Sequence, residues 1–263
     1  MSKDTNNTDS ENYQKKKQFF DQLLTVYGRN PVFEALQDKN NQAYRLHLAD
    51  SNRQAKVIDD IVKLAKKRDA EIVYHSRQEL SRISKNAKQD QGVAVDLVCK
   101  GYQDYKTFLQ NNQGRELDII ALDRITNPQN LGMIIRSVCA GAIDGLLLPR
   151  KGCAKLDPLV IKASAGTLFR APILRCDTLT DALQDFQQHN FRIYGLSSHA
   201  DTTISSIPQQ GSSVFVLGNE TEGVSQSVAD CCDHQVSIPM RNQVESLNVA
   251  VTASLLAFRK VMV

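Results

Sequence analysis

From Leu117 onward the chain repeats one pattern: a short, wholly apolar run, then a longer stretch with helical spacing. The runs are Leu117–Leu122, Gly145–Leu148, Ile173–Cys176, Phe191–Leu196, Val214–Leu217 and Gln235–Ile238. Helical spacing covers Leu131–Gly141, Leu156–Ala165, Leu179–His189 and Ser246–Lys260. Strands that are apolar throughout and separated by helices predict a parallel sheet covered on both faces. In such sheets chemistry collects in the loops that leave the carboxyl ends of the strands.

The first part of the chain reads differently. Met1–Gln22 is polar with little to bury and predicts a flexible tail. In Leu23–Cys99, a short helix opens at Asn30-Pro31 and Ala43–Leu48 is strand-like. Arg53–Arg68 places Val57, Ile58, Ile61, Val62, Leu64 and Ala65 on one helical face. Glu71–Tyr74 and Gly92–Val98 are β-branched runs. A small α/β domain follows, then a linker over residues 100–115 and a larger domain over residues 116–263.

Composition excludes several classes. Of 263 residues, 41% are hydrophobic, enough for a core. The longest apolar run, near Leu247–Phe258, is too short to span a bilayer, and no basic-then-apolar leader opens the chain. Six scattered cysteines without a Cys-x-x-Cys pair predict reduced thiols in a cytoplasmic protein, with no disulfide framework and no metal site. The five histidines share no metal-ligand or triad spacing and read as ordinary side chains. The net charge is +3; Leu23–Cys99 holds 13 basic against 10 acidic residues, whereas Lys100–Val263 holds 15 of each. The excess therefore sits where a phosphate-contacting module would be.

Three loops after predicted strands carry the polar residues that stand out. The first contains Asn127-Pro128 and Asn130, with Arg136 among apolar residues. Asn130 is a suitable helix cap, and an arginine at position 136 needs a partner or a site. The second, Gly218-Asn219-Glu220-Thr221-Glu222-Gly223, has the glycine spacing of a phosphate loop but Val224-Ser225 where lysine is required. The third runs from Ile238-Pro239-Met240 to Ser246-Leu247-Asn248, where Ser246 is a candidate cap and Asn248 an amide entering an apolar helix.

In this order, Asn130-x-Gly132-x3-Arg136, Leu217-Gly218-x-Glu220-x2-Gly223 and Ile238-Pro239-Met240 with Ser246-Leu247-Asn248 resemble the three motifs of the SpoU/TrmH family of RNA 2′-O-ribose methyltransferases. Lys162-Ala163-Ser164-Ala165-Gly166 is similar to a further family stretch. Residues 27–36 and Gln91-Gly92-Val93-Ala94 resemble the ends of its N-terminal RNA-binding domain. Two departures are Asn242 where the family usually has glycine, and Asp90 before Gln91 where histidine is common.

The resemblance implies an α/β C-terminal domain with a trefoil knot, a homodimer packed through it, and an N-terminal domain like ribosomal proteins L30e and L7Ae. It implies S-adenosylmethionine as cofactor, held at Gly218, Ile238 and Leu247, with no metal. Asn130, Arg136, Glu220, Ser246 and Asn248 match the substrate-side polar set. The family role of Arg136 is activation of the 2′-hydroxyl. A guanidinium with a pKa above ~12 seldom gives up its proton, so a phosphate clamp and alkoxide stabiliser is the expected part. The implied substrate is RNA, ribosomal in preference to transfer RNA. A catalytically silent RNA-binding protein is the different-class alternative.

Overall fold

The computed structural model describes residues 19–20, 22–52 and 55–261. Most of the expected tail and the first residues of the helix expected from Arg53 lie outside these. The chain divides into two compact units, one running to Lys100 and including Leu156–Pro158, the other built from Gly101–Lys155 and Leu159–Val263.

The first unit runs β1 (Leu23–Tyr27), α1 (Arg29–Gln37), β2 (Gln42–Ala49), α2 (Lys56–Lys67), β3 (Glu71–His75), α3 (Arg77–Ser84) and β4 (Val93–Val98). Its sheet has the order β1-β4-β2-β3, with β2 and β3 parallel and the other pairs antiparallel. Two of these elements, β1 and α3, go beyond the sequence reading. Helix α3 buries only Leu80 and Ser84, so periodicity is thin; its signal is the capping box, Ser76 and Glu79 bonding each other's backbone. Asp90, the second departure, is fully buried: Arg77 pairs with it at 3.1 Å, Ser84 donates to it at 2.9 Å, and it caps the amide of Gly92. An aspartate there is a satisfied buried charge.

One polar line crosses all four strands of this sheet. Thr25 Oγ1 on β1 donates to Asp96 Oδ1 on β4 at 2.6 Å. Asp96 Oδ2 lies 3.0 Å from His47 Nε2 on β2, and His47 Nδ1 lies 2.9 Å from His75 Nε2 on β3. An ionised carboxylate accepts only, so His47 donates to Asp96 through Nε2. Burial works against the Asp96 charge, but the bonds from His47 and Thr25 outweigh it and hold the carboxyl below its usual 3.8. Two of the histidines are therefore not ordinary surface side chains.

The second unit begins with β5 (Gln103–Asp104) and α4 (Tyr105–Asn111). These occupy the segment expected as a linker. Tyr105, Phe108 and Leu109 are buried in the same core as Phe186 and Ile193, so apolar burial orders what polar Asn111–Gly114 made look like a connection. There follow β6 (Asp118–Leu122), α5 (Pro128–Ala140), β7 (Gly145–Pro149), α6 (Pro158–Ala163), β8 (Ile173–Cys176), α7 (Leu179–Gln188), β9 (Arg192–Leu196), β10 (Ser213–Leu217), α8 (Gln226–Ala229), β11 (His234–Val236) and α9 (Val249–Ala257). All seven strands pair in parallel, in the order β11-β9-β10-β6-β7-β8-β5. Every residue of β6, β7 and β10 is buried, as continuous apolar runs require.

Strand order reverses between β6 and β10. The chain leaves β6 toward β7 and β8, and leaves β10 toward the opposite edge, so a crevice opens between two loops that diverge. That switch point is where open α/β sheets bind ligands.

Candidate functional site

The first two motif loops leave β6 and β10 at this crevice, and the third follows β11 at the edge of the sheet. Asn127 caps α5, its Oδ1 accepting from Gln129 N at 2.8 Å and from Asn130 N at 3.4 Å, with Pro128 in the first turn. The helix thus starts three residues earlier than expected, and Asn130 is not its cap. Asn130 is instead a buried amide, 4% exposed, in the first turn.

Asn248 joins the loops. Its Oδ1 accepts from Ala250 N at 2.9 Å and so caps α9, the role considered for Ser246. Its Nδ2 donates to Asn130 Oδ1 at 3.1 Å and to Glu220 Oε1 at 2.7 Å. One side chain from the third motif thereby uses its acceptor on its own helix and its donors on the other two motifs. Three of the five expected substrate-side residues, Asn130, Glu220 and Asn248, are in direct contact.

The second motif is shaped by backbone crowding. A Cβ on Gly218 would lie 2.1 Å from the carbonyl carbon of Gly223, so only glycine lets the loop close on itself. Asn219 Oδ1 accepts from Thr221 N at 2.9 Å, and Gly223 N bonds Asn219 O at 2.8 Å. Residues 123–124 staple the loop from outside. Ser225 N donates to Asp123 Oδ2 at 2.7 Å, Arg124 pairs with Glu222, and Asn219 Nδ2 donates to Arg124 O at 3.2 Å. Arg124 does this with φ of 58°, an unfavourable conformation for arginine. Neither Asp123 nor Arg124 stands out in the sequence, since the contact spans about a hundred residues of chain.

Beside this cluster is a cleft of about 930 Å³, lined among others by Gly218, Glu220, Ile238, Ser246 and Leu247. The three expected cofactor positions thus line the same cleft as two of the polar set. They offer backbone and apolar surface, which suits a ligand held by main-chain groups. Gly132 is needed elsewhere: a Cβ there would sit 2.4 Å from that of Ala163, so α5 packs directly on the Ala163-Ser164 stretch. Asn242 has φ of 56° and Gln243 of 59°. Asparagine is among the few non-glycine residues that enter this region readily, so it keeps the backbone course glycine would give.

Arg136 stands apart. It is exposed on α5, and no hydrogen bond or ion pair holds its side chain among the described residues. Six residues beyond Asn130 is about 240° around the helix, so Asn130 faces the cluster and Arg136 points elsewhere. The expectation that position 136 lies among packed residues does not hold; Met133, also exposed, shares its side of the helix. Ser246 lines the cleft without belonging to the hydrogen-bonded cluster.

Residues 117–258 match the SpoU rRNA Methylase family, and residues 25–104 match the RNA 2′-O ribose methyltransferase substrate binding domain. An uncharacterized tRNA/rRNA methyltransferase of Mycolicibacterium vanbaalenii is 34% identical over 235 residues, covering 89% of this chain and 74% of that protein. One from Mycobacterium avium is 34% identical over 230 residues, with 87% and 74% covered. Among solved structures, the SpoU methyltransferase AviRb from Streptomyces viridochromogenes, in complex with AdoMet, superposes with a TM-score of 0.62. Identity is 22%, over 92% of this chain and 90% of that one. A putative RNA methyltransferase of the TrmH family from Porphyromonas gingivalis gives 0.61 at 24% identity, covering 91% and 90%. With the same fold, and with family matches spanning both units, this chain belongs to the SpoU rRNA Methylase family.

Proposed function

We propose that the second unit transfers a methyl group from S-adenosylmethionine to a ribose 2′-hydroxyl in RNA. The observation that carries this reading is the contact of Asn248 with both Asn130 and Glu220 at the rim of the cleft. Gly218, Ile238 and Leu247 would hold the cofactor, which supplies an electrophilic methyl on a sulfonium. The fit rests on the Gly218 turn, where a side chain would close the wall, and on a volume in the range of small-molecule sites.

The chain must then place a weakly acidic hydroxyl in line and handle its proton. Glu220 is anchored through Oε1 by Asn248 and keeps Oε2 as an acceptor for a ribose hydroxyl. Asn130 is fixed by the same amide. Arg136 acts as a clamp on RNA phosphate and stabilises the developing alkoxide, the proton passing to phosphate or water. Its freedom from any internal partner among the described residues leaves it available for that.

The polypeptide works as a homodimer through the second unit. Met133 on α5 and Val251 and Leu255 on α9 are apolar and exposed, and the two helices are packed together, Ser137 Oγ lying 2.7 Å from Ser254 Oγ. Paired helices with exposed apolar residues are an ordinary dimer surface. The reversal of strand order and the return of α9 onto α5 fit a trefoil knot in the C-terminal segment. The favoured substrate is large-subunit ribosomal RNA, because the substrate-binding match in the first unit goes with the ribosomal branch of the resemblance. Six unpaired cysteines fit the cytoplasm, and no helix among the described residues is long and apolar enough to cross a membrane.

The deciding experiment is in vitro methylation with labelled S-adenosylmethionine. The RNAs are ribosomal RNA and tRNA from a strain lacking the gene, followed by mapping of 2′-O-methyl sites. Label in ribosomal RNA at one nucleotide is expected. Label in tRNA alone would move the substrate, and label in neither, with intact cofactor binding, would favour a silent RNA-binding protein.

A further inference from the structure

The even charge balance of the second unit hides a strong local imbalance. Residues 150–175 hold six basic side chains, Arg150, Lys151, Lys155, Lys162, Arg170 and Arg175, against the single acid Asp157. Four of the six belong to one place in the fold. Arg150, Lys151 and Lys155 lie in the loop that leaves the carboxyl end of β7, and Arg175 is on β8, in register with Leu148 of β7.

That loop is held against the active-site edge of the sheet. Arg150 N bonds Cys176 O at 2.9 Å, Ala154 N bonds Ile125 O at 2.8 Å, and Cys153 Sγ lies 3.7 Å from Leu122 O. It therefore bridges the end of β8 to the first motif loop, which continues directly into Asn127 and Asn130. β8 is two strands from β6, about 10 Å at the usual strand spacing. The basic loop is thus at the flank of the proposed methyl-transfer site.

Arg175 makes this more than a solvated surface. It is half-buried, burial disfavours its charge, and Arg150 nearby disfavours it further. Among the described residues no carboxylate forms an ion pair with it: Asp104, opposite it on β5, accepts from Lys106 N through Oδ1, and Asp177, 89% exposed, pairs with Arg150 at 3.2 Å. Partly buried cations are normally paired, because desolvation is otherwise uncompensated. A guanidinium kept beside another without an anion of its own is a seat for an external anion, and its planar fork matches phosphate oxygens.

We infer that Arg150, Lys151, Lys155 and Arg175 bind the ribose-phosphate backbone of the RNA strand flanking the methylated nucleotide, so that the second unit carries RNA contacts of its own. This rests on the RNA methyltransferase reading above. It adds to the expectation, drawn from charge totals, that phosphate contacts belong to the first unit.

The test uses the full chain. A Lys151→Gln/Lys155→Gln double variant alters only exposed side chains, and Arg175→Gln is added to give a triple variant, with Arg175→Lys as the charge-retaining control. The probe is fluorescently labelled large-subunit ribosomal RNA fragments, with binding followed as a function of KCl concentration. Each lost phosphate contact on single-stranded RNA lowers the log–log salt slope by about 0.7, so the double variant should lose roughly 1.4 and the triple about 2. KM for RNA should rise on the order of ten-fold in the triple variant, while cofactor affinity and melting temperature stay put. Unchanged slope and KM in the folded double variant would overturn the inference. Should Arg175→Gln fail to fold, the double variant still decides. Displacement of RNA by polyglutamate of equal charge would overturn it in favour of an acidic-peptide surface. If wild-type protein methylates no RNA, the parent reading fails, whereas the salt slopes still judge this one.

Discussion

Each unit carries a polar constellation built from residues distant in sequence, and the two behave differently. In the first unit, Thr25, Asp96, His47 and His75 form a line across adjacent strands, with His47 only 3% exposed. Strand pairing fixes their positions and every internal bond is satisfied. In the second unit, Asn130, Glu220 and Asn248 meet at loop and helix ends, and Glu220 and Asn248 are exposed. Their positions depend on turns, caps and the Arg124 staple. The first arrangement turns its hydrogen bonds inward, as a structural network does; the second leaves a Glu220 carboxylate oxygen facing outward, as the proposed chemistry requires.

The largest effect that would sharpen this contrast is expected at the substrate-side set. Arg136→Lys keeps charge but loses the planar fork, and turnover should fall on the order of 10²-fold, with Arg136→Ala worse. Melting temperature and cofactor affinity should hardly move. An unstable variant with normal activity per folded molecule would make Arg136 structural and erase the distinction. Asn248→Asp belongs beside it. The capping acceptor survives while the donor to Asn130 and Glu220 is lost, so activity should drop comparably with a small change in stability. Full activity in that variant would show that the three-loop contact is incidental.

Next in size is Gly218→Ala, whose Cβ would meet backbone at 2.1 Å. Calorimetry should find S-adenosylmethionine binding weakened by at least ten-fold, and in the wild type the same titration should be indifferent to excess chelator. Undiminished binding by the variant would remove Gly218 from the cofactor wall.

In the first unit the expected losses are of stability. Asp96→Ala leaves His47 and Thr25 without their acceptor and should cost on the order of 2 kcal/mol, with cofactor affinity unchanged. The same carboxylate predicts an acid dependence. Its folded pKa is below the unfolded 3.8, so the unfolded state takes up the proton first. Its contribution is complete above about pH 3.8 and is lost as pH falls through the lower folded value. Acid titrations of wild type and Asp96→Asn, read by circular dichroism, should converge toward low pH. Parallel curves would assign the stabilisation elsewhere. The smallest effect is expected from Asn242→Gly: since asparagine already holds φ of 56°, cofactor affinity should shift by less than about two-fold. A large gain would mean that Asn242 distorts the loop.

Much of the second unit was legible in the residues themselves. Buried parallel strands are apolar at every position, so β6, β7 and β10 announce themselves without any knowledge of their partners. The motif spacing likewise brought Asn130, Glu220 and Asn248 into one family pattern, together with Gly218, Ile238 and Leu247, which the fold places around one cleft. What failed were judgements that depend on neighbours. The 100–115 segment looked like a linker because its polar end is visible, whereas the burial of Tyr105, Phe108 and Leu109 is supplied by α7 and β8. Position 136 looked internal because its neighbours are apolar, whereas helix rotation exposes it.

Sequence alone determined the fold class, the family and the residue types at the site, because these are carried by local periodicity and short motifs. Tertiary structure decided which capacities remain open. His47 and His75 are ordinary at their spacing until β2, β3 and β4 pair and bring Asp96 to them. Asn130 reads as a cap until Asn127 takes that place and Asn248 reaches it. Arg175 reads as one more surface charge until the fold half-buries it near Arg150, while Asp104, opposite it on β5, spends Oδ1 on the amide of Lys106. A hydrogen bond or a desolvated charge is a relation between groups far apart in the chain, so only the folded register fixes which partners each one has.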